Sequence, residues 1–470
     1  MEKDFKLKIN LPASWAKGTI SEMISGQGVF VDGDWIESKD QDQNGDVRLI
    51  QLADIGDGKF RDKSSRFLTL QRANEIGCTF LREGDVLVAR MPDPIGRACI
   101  FPLKGEYKYV TAVDVAIIRP GENGVNNKWL NYTINTPTIR NKIEALQSGT
   151  TRKRISRGNL ALIEFPIPPR NEQNRIVEKL DELLSELEKG KEQLQTALEH
   201  LKVYRQSVLK SAFEGTLTNE NLKEGELPEG WKSIELNEIA ERIADGPFGS
   251  HLKSSDYVDH GIRVIRLENI GEMEFKDEYK TFVTPNKYET IKRHTVTKGD
   301  IIFSSFVSDS IRTTILPDYI DNAINKADCF LVRVSHSKIL AKYLMFYFST
   351  RSMRNQLVDH VHGATRPRIN TTQLRNSLIP VASLGEQHLV VQEIESRLSV
   401  CDKLEETINE CLGEAEVLRK SILKKAFEGK LVDQDLGDEP ASKLLESIRK
   451  EKLNAQKTKK RIAKEVLTYS

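Results

Sequence analysis

The sequence predicts an α+β protein with a pseudo-two-fold tandem duplication. Two globular mixed α/β domains are joined by two long helices that form an intramolecular antiparallel coiled coil. Three observations predict this. Six motif blocks recur in the same order about 215 residues apart. An apolar period of about 3.5 residues follows each globular stretch. Short β-rich runs punctuated by Gly and Pro precede each helix.

The repeat sets the domain count. Leu11-Pro12-x-x-Trp15 reappears as Leu227-Pro228-x-x-Trp231, block 48–56 as 263–271, and Glu83-Gly84-Asp85 as Lys298-Gly299-Asp300. Gly149-Thr150-Thr151-Arg152-Lys153-Arg154-Ile155 matches Gly363-Ala364-Thr365-Arg366-Pro367-Arg368-Ile369. Glu172-Gln173 matches Glu386-Gln387, and Ala212-Phe213-Glu214-Gly215-x-Leu217 matches Ala426-Phe427-Glu428-Gly429-x-Leu431. The period is too long for a solenoid repeat, so each copy is domain-sized.

The boundaries follow in order: a first globular domain over 1–168, a long helix over 169–217, a second domain over 218–382, a second long helix over 383–432, and a helical basic tail over 433–470. Runs 47–52, 86–89, 113–118, 262–267, 301–303 and 330–334 read as strands, with helical stretches at 129–146 and 339–361. The first helix carries its seam on Ile176, Leu180, Leu183, Leu187, Gly190, Leu194, Ala197, Leu201, Tyr204 and Val208, broken at Gly190. The second repeats it from Val390 to Ile422, broken at Arg397. A stripe this narrow suits a coiled-coil partner better than a broad core surface. The two copies are natural partners, and about 40 residues make a rod of roughly 60 Å. Pro166, Pro168, Pro169 and Pro380 end the domains and set the helix starts. In the tail, 441–453 reads as a short helix with Leu444, Leu445 and Ile448 on one face. The basic segment after it is read as solvated, with a partner contact or a nonspecific DNA contact as alternatives.

Composition excludes several classes. No apolar run reaches the roughly 20 residues needed to span a bilayer, and the polar N-terminus carries no signal-peptide core. Five cysteines form no Cys-x-x-Cys pair, so neither a zinc ribbon nor a disulfide framework is indicated and a reducing cytoplasm is expected. The sequence holds no Gly-x-x-x-x-Gly-Lys-Ser/Thr loop, no Gly-x-Gly-x-x-Gly cradle, no Asn/Asp-Pro-Pro-aromatic tetrapeptide and no His-Glu-x-x-His. Catalytic, cofactor-binding and metal-binding residues are therefore not expected on this chain. Asp85 and Asp300 follow glycines at strand starts, where a turn role is the expectation.

With 70 Lys+Arg against 69 Asp+Glu, net charge decides nothing, and only segregated charge informs. The segregated block is the repeated one. Thr150, Thr151, Arg152, Lys153, Arg154 and Arg157 in the first copy, with Thr365, Arg366 and Arg368 in the second, suit phosphate oxygens and would position the chain on a duplex. The alternative is that Arg152 and Arg366 pair with Glu172 and Glu386, bracing domain on helix. Candidate base-reading loops carry Gln27, Arg90 and Arg97 in the first copy and Ser250, His251, Lys253, Ser304, Ser305 and Arg312 in the second. In this reading the segment 26–30 corresponds to 245–254.

Over residues 10–432 the chain resembles the specificity subunit of a Type I restriction–modification enzyme. The resemblance rests on the two Leu-Pro-x-x-Trp openings, the Gly-Thr-Arg-x-Arg-Ile blocks, the Pro168-to-Gln173 helix entry and the two Ala-Phe-Glu-Gly-x-Leu helix ends. The second copy departs at 380–387, which lacks the double proline. The resemblance implies that each globular domain is a target-recognition domain for one half of a split DNA sequence. It implies that the helices set the gap and dock two methyltransferase subunits, which translocating nuclease subunits join. S-adenosylmethionine, ATP and Mg would then reside on those partners. A helical scaffold holding two protein partners is the alternative, and it leaves the basic loops without a purpose.

Overall fold

The computed structural model describes residues 11–468 except 93, 103–106, 150–151, 220–221, 223–226 and 359–367, and gives no side-chain surroundings for 250, 456 and 459–468. The chain divides into two compact units, Met1–Lys191 with Leu412–Ser470, and Glu192–Cys411. The long helices run over Arg170–Phe213 and Leu384–Phe427, 44 residues each, so each contributes to both units.

In the first unit, Ala16–Thr19 pairs antiparallel with Glu164–Ile167, tying the start of the globular domain to its end. A four-stranded antiparallel sheet runs in the order Val29–Asp32, Val115–Arg119, Val86–Ala89, Ala98–Ile100. A second sheet sets Val47–Ile50 between Arg66–Leu68 and Lys108–Thr111, parallel to the latter. The helical stretch expected over 129–146 is two helices, Asn127–Ile134 and Pro137–Ala145. Pro137 cannot continue the first helix, and Thr136 caps the second by accepting from the Ile139 amide.

One core unites this domain with both helices. Trp129, Ile20 and Phe165 are buried with Ile176 and Leu180 of the first helix and Leu423 and Phe427 of the second. Lys191 pairs with Glu416, and Arg175 with Asp438 at 2.7 Å. As the first helix retreats from Lys191 to Arg175 its partners advance, so the pairing is antiparallel.

The second unit repeats this architecture. Lys232–Glu235 pairs with Leu378–Val381. The four-stranded sheet runs Ala240–Ala244, Cys329–Val334, Ile301–Val307, Ile311–Ile315, the same order as its counterpart. Ile262–Ile265 again lies parallel to Ala323–Asn325. The stretch expected over 339–361 is broken at Ser349 and Thr350 into Ala341–Phe348 and Arg351–Val358. Phe213, Val208 and Leu209 share a core with Trp231, Tyr343, Val390 and Ile394, while Arg205 pairs with Asp402 at 2.7 Å. Here too the helices run antiparallel.

The seam read from the sequence is only partly buried. Ile176, Leu180, Val208, Val390, Ile394 and Cys401 are buried, but Tyr204, Leu404 and Leu418 are 45%, 47% and 51% exposed. A helix of 3.6 residues per turn drifts away from a 3.5-residue stripe. At that level of the second unit the Arg205 stem lies inward and its guanidinium reaches Asp402 and Glu405.

Repeated motifs close each unit. Gln173 accepts from the Asn126 amide at 2.8 Å and donates to the Pro168 carbonyl at 2.9 Å. Gln387 accepts from the Leu340 amide at 2.8 Å and donates to the Ala382 carbonyl at 2.9 Å. Both amides are fully buried and fasten a helix start to its domain. At the helix ends, Gly429 and Gly215 take φ of +71° and +77° and pack against Pro12 and Pro228. A Cβ would stand 2.4 and 2.1 Å from those rings, so only glycine fits.

The tail helix expected over 441–453 is present, with Leu445 and Ile448 on its buried face, and it runs further than expected. It spans Ala441–Thr468, and Ala441 is buried with them against the first unit. Arg449 pairs with Glu22 at 2.5 Å, and Glu451 accepts from the Gly26 amide at 3.2 Å. Gly18 makes room: a Cβ there would meet Ile167 at 2.8 Å and Leu445 at 3.3 Å. The second copy carries Ile234 at this strand position. Truncation after residue 440 should therefore lower the thermal midpoint and speed amide exchange in the first unit alone. Losing Leu445 and Ile448 from the core removes about 2 kcal/mol each. Exchange mass spectrometry showing equal loosening in residues 232–381 would contradict this.

Candidate nucleic-acid interface

In the basic block of the first unit, Ser148 and Arg154 exchange backbone hydrogen bonds at 2.8 and 2.9 Å, and Arg152 and Lys153 are exposed. Thr150 and Thr151 lie outside the described residues. Ile155, fully buried, pins the end of the block, and Arg154 leans toward Asp114 at 3.8 Å. Arg157 is exposed at the start of the short helix Arg157–Ala161, capped by Ser156. In the second unit Thr365 and Arg366 fall outside the described residues. Arg368 occupies the place of Arg154: it pairs with Asp328, sits over the Phe306 ring at 5.6 Å, and precedes buried Ile369.

The bracing alternative is not found for Arg152, while its Arg366 arm lies outside the described residues. Glu172 is 1% exposed and accepts from Trp15 Nε1 at 2.9 Å and Gln434 Nε2 at 2.6 Å. Burial pushes its carboxyl above the usual carboxylate range. Asp85 and Asp300 are structural. Each accepts a backbone amide of its turn (Arg82 at 2.8 Å, Thr297 at 2.7 Å) and holds an arginine in a two-pronged pair, Arg119 and Arg333.

Four positions expected to read bases face inward instead. Arg90 is 3% exposed, pairs with Asp32 at 2.5 Å, and donates to the Ile155 and Val113 carbonyls at 3.0 and 3.1 Å. Arg97 is 5% exposed and donates to the carbonyls of Ile55, Pro94 and Leu52. Ser304 and Ser305 are fully buried, with their hydroxyls on the Phe306 carbonyl and the Asp328 carboxylate. A guanidinium whose forks are filled by carbonyls inside a domain has none left for a base edge. Arg312 is half-buried and clips the Leu267 carbonyl at 3.1 Å, as Arg97 clips Leu52 in the other copy. Gln27, His251 and Lys253 are exposed, and nothing is described of the Ser250 side chain.

The loop correspondence also changes. Val31 pairs with Ile117 and Ala244 with Leu331, while Leu87 and Ile302 pair with the same two partners. This register aligns Asp32-Gly33-Asp34-Trp35 with Asp245-Gly246-Pro247-Phe248. The segment around Gln27 is an insertion of the first copy, lying beside the C-terminal helix through Gly26. Both glycines press on the same turn. A Cβ on Gly33 would stand 2.2 Å from the Ala112 carbonyl oxygen, and one on Gly246 would stand 2.1 Å from that of Asn325.

Each unit therefore carries one turn, 112–114 or 326–328, at which two elements meet. One is the end of the basic block, held by Asp114 or Asp328. The other is a loop that presents an exposed aromatic, Trp35 (67%) or Phe248 (50%). Trp35 was not singled out by sequence reasoning. The signal that could have found it is the shared Asp-Gly-x-aromatic pattern, hidden by the insertion. Among the described residues no group of three or more His, Cys, Asp or Glu is placed to hold a metal ion, and no helix is long and apolar enough to cross a membrane.

Comparison with known proteins agrees with this architecture. The family model described as the Type I restriction modification DNA specificity domain matches twice, over residues 12–196 and 228–413. The Type I restriction enzyme EcoBI specificity subunit of Escherichia coli is 30% identical over 359 residues, 72% of this chain and 74% of that protein. The EcoKI specificity subunit of Escherichia coli strain K12 is 27% identical over 349 residues, again 72% and 74%. A solved chain from work on complex assembly and conformational transition of the type I R-M system superposes with a TM-score of 0.69 at 18% identity, covering 90% of this chain and 99% of that one. The HsdS subunit from Thermoanaerobacter tengcongensis gives 0.55 at 18% identity, covering 90% and 98%, and both show the shared fold. With the family model matched twice at the repeat, the chain belongs to the family of Type I restriction–modification specificity subunits.

Proposed function

We propose that the chain reads a bipartite DNA target, one half-site for each recognition domain, and supplies the address for a complex whose chemistry resides on other subunits. One observation carries this reading: the same basic block ends on the same turn in each unit, displaying Arg152 and Lys153 in one and Arg368 in the other. Exposed arginine and lysine beside a backbone pinned at Arg154 and Ile155 suit phosphate contacts, which fix register on a duplex. The loops beside the block differ between copies, as two different half-sites require. The long helices serve as the spacer and receive two modification subunits. Val203, Leu389, Val400 and Val417 are each at least 58% exposed on those helices, which supports a partner surface. S-adenosylmethionine, ATP and Mg belong to the modification and restriction subunits, and the complex works in the cytoplasm.

Footprinting of the assembled complex should show two short protected blocks separated by an indifferent gap. One continuous block, or none, would refute the reading. Exchanging residues 1–165 for the domain of another family member should change one block only. Replacing Arg152 and Lys153 together by Ala should weaken binding and lower the slope of log Kd against log salt by about 0.9 for each phosphate no longer neutralised. Thermal stability should stay within about 0.5 kcal/mol. Arg90→Ala should do the reverse of this in stability, costing about 3 kcal/mol in denaturant unfolding because it strands Asp32 and two carbonyls.

A further inference from the structure

We propose that Trp35 and Phe248 are the side chains with which each recognition domain presses on the bases of its half-site, an inference that rests on the DNA-reading function above. The chain has four tryptophans. Trp15, Trp129 and Trp231 are 8%, 0% and 7% exposed, whereas Trp35 is 67% exposed. Its indole donates only to Glu37 at 3.2 Å, on the surface.

The backbone on both sides of the ring is tied down. Gly33 donates to the Val115 carbonyl at 2.7 Å and Asp34 to that of Thr111 at 2.8 Å, while Ile36 packs against the core that holds Val47 and Leu68. Phe248 is held in the same way. Gly246 is pressed on the turn that starts at Asn325, the His251 amide donates to the Phe248 carbonyl at 3.0 Å, and Leu252 is buried with Val264 and Ile324. Fixed neighbours leave each ring projecting into water at a defined place.

A single exposed apolar residue on a protein surface needs no explanation. Two at the same position of two diverged copies do. The aligned loops share only the Asp-Gly pair and the aromatic, and in both the glycine two residues before the ring presses on the turn whose aspartate faces Arg154 or Arg368. That turn thus gathers the two kinds of contact a duplex reader needs. The arginines and lysine meet phosphates, and a flat ring meets a base face, a thymine methyl or an opened base step. The difference between indole and phenyl fits the need to read two different half-sites with one scaffold.

The burial of the other three tryptophans makes Trp35 a built-in probe. The full-length chain, in complex with its co-expressed modification subunits, is used to isolate a bound duplex from a randomised DNA pool. That duplex should quench the indole emission of the wild-type complex more than that of the W35F complex, the difference reporting Trp35. W35A should weaken binding of the isolated duplex about tenfold with no shift in thermal midpoint. Pools re-selected by W35A and by F248A should lose sequence preference in one half each, and in opposite halves. If wild type selects a bipartite duplex but its emission changes no more than that of W35F and W35A binds within twofold, the assignment of these rings is wrong while the DNA-reading function stands. If wild type selects no bipartite duplex, the function itself fails and the assignment falls with it.

Discussion

Burial of the two helix ends is the contact on which each unit depends. Phe427 and Gly429 close over Pro12 and Trp15, and Phe213 and Gly215 close over Pro228 and the cluster of Trp231 and Tyr343. In both cases the helix end and the domain opening it covers come from different copies of the repeat. A globular domain of this chain therefore lacks part of its core until the other copy's helix is in place. Full burial of a large apolar or aromatic side chain contributes roughly 2 kcal/mol, so the cross-copy contacts weigh heavily in each unit. Trp15 makes this explicit in the first unit, where its indole donates to Glu172 on the first long helix while its ring packs under the end of the second.

What the copies share is scaffold, and what they vary is surface. The buried glutamines at the helix starts, the aspartates that hold Arg119 and Arg333, and the arginine clips on Leu52 and Leu267 recur with the same partners. Each satisfies backbone groups that would otherwise be buried without partners, which explains their persistence through the divergence of the rest. Arg90 shows where the copies part. Both Arg90 and its counterpart, buried Ser305, take the carbonyl of the turn aspartate (Asp114 or Asp328) through their amides, but only the Arg90 guanidinium also braces Asp32 and the end of the basic block. Both solutions hold the same turn in place. A rigid turn with changeable loops is what a reader of two different sequences needs.

The C-terminal helix breaks the symmetry. Its described residues pack on the first unit, where Gly18 leaves space for Leu445 at a strand position that the second copy fills with Ile234. The segment leading to it also seals the domain opening. Gln434 bridges Ser14 and Glu172, Asp438 pairs with Arg175, and the Ala441 amide donates to the Ser14 carbonyl. The first unit thus carries an extra layer over the surface next to the Gln27 insertion.

By itself the sequence determined the duplication, the strand-rich domains, both long helices and the family resemblance. Those readings rest on local periodicity, turn residues and the order of motifs, all of which are written along the chain. It also marked the basic block, since charge segregation is visible without coordinates. It did not reveal that Arg90 and Arg97 turn inward, because a basic residue beside a Gly/Pro loop reads the same whether its fork meets carbonyls or water. Tyr204 and Leu418 belong to the heptad pattern yet lie exposed, since the drift of a real helix is set by what packs on it. The pairing of Asp32–Trp35 with Asp245–Phe248 emerged only from strand register, because a short insertion had displaced the motif. Tertiary structure alone decided that the end of the second helix completes the first domain, since Phe427 and Gly429 meet Trp15 and Pro12 across hundreds of positions.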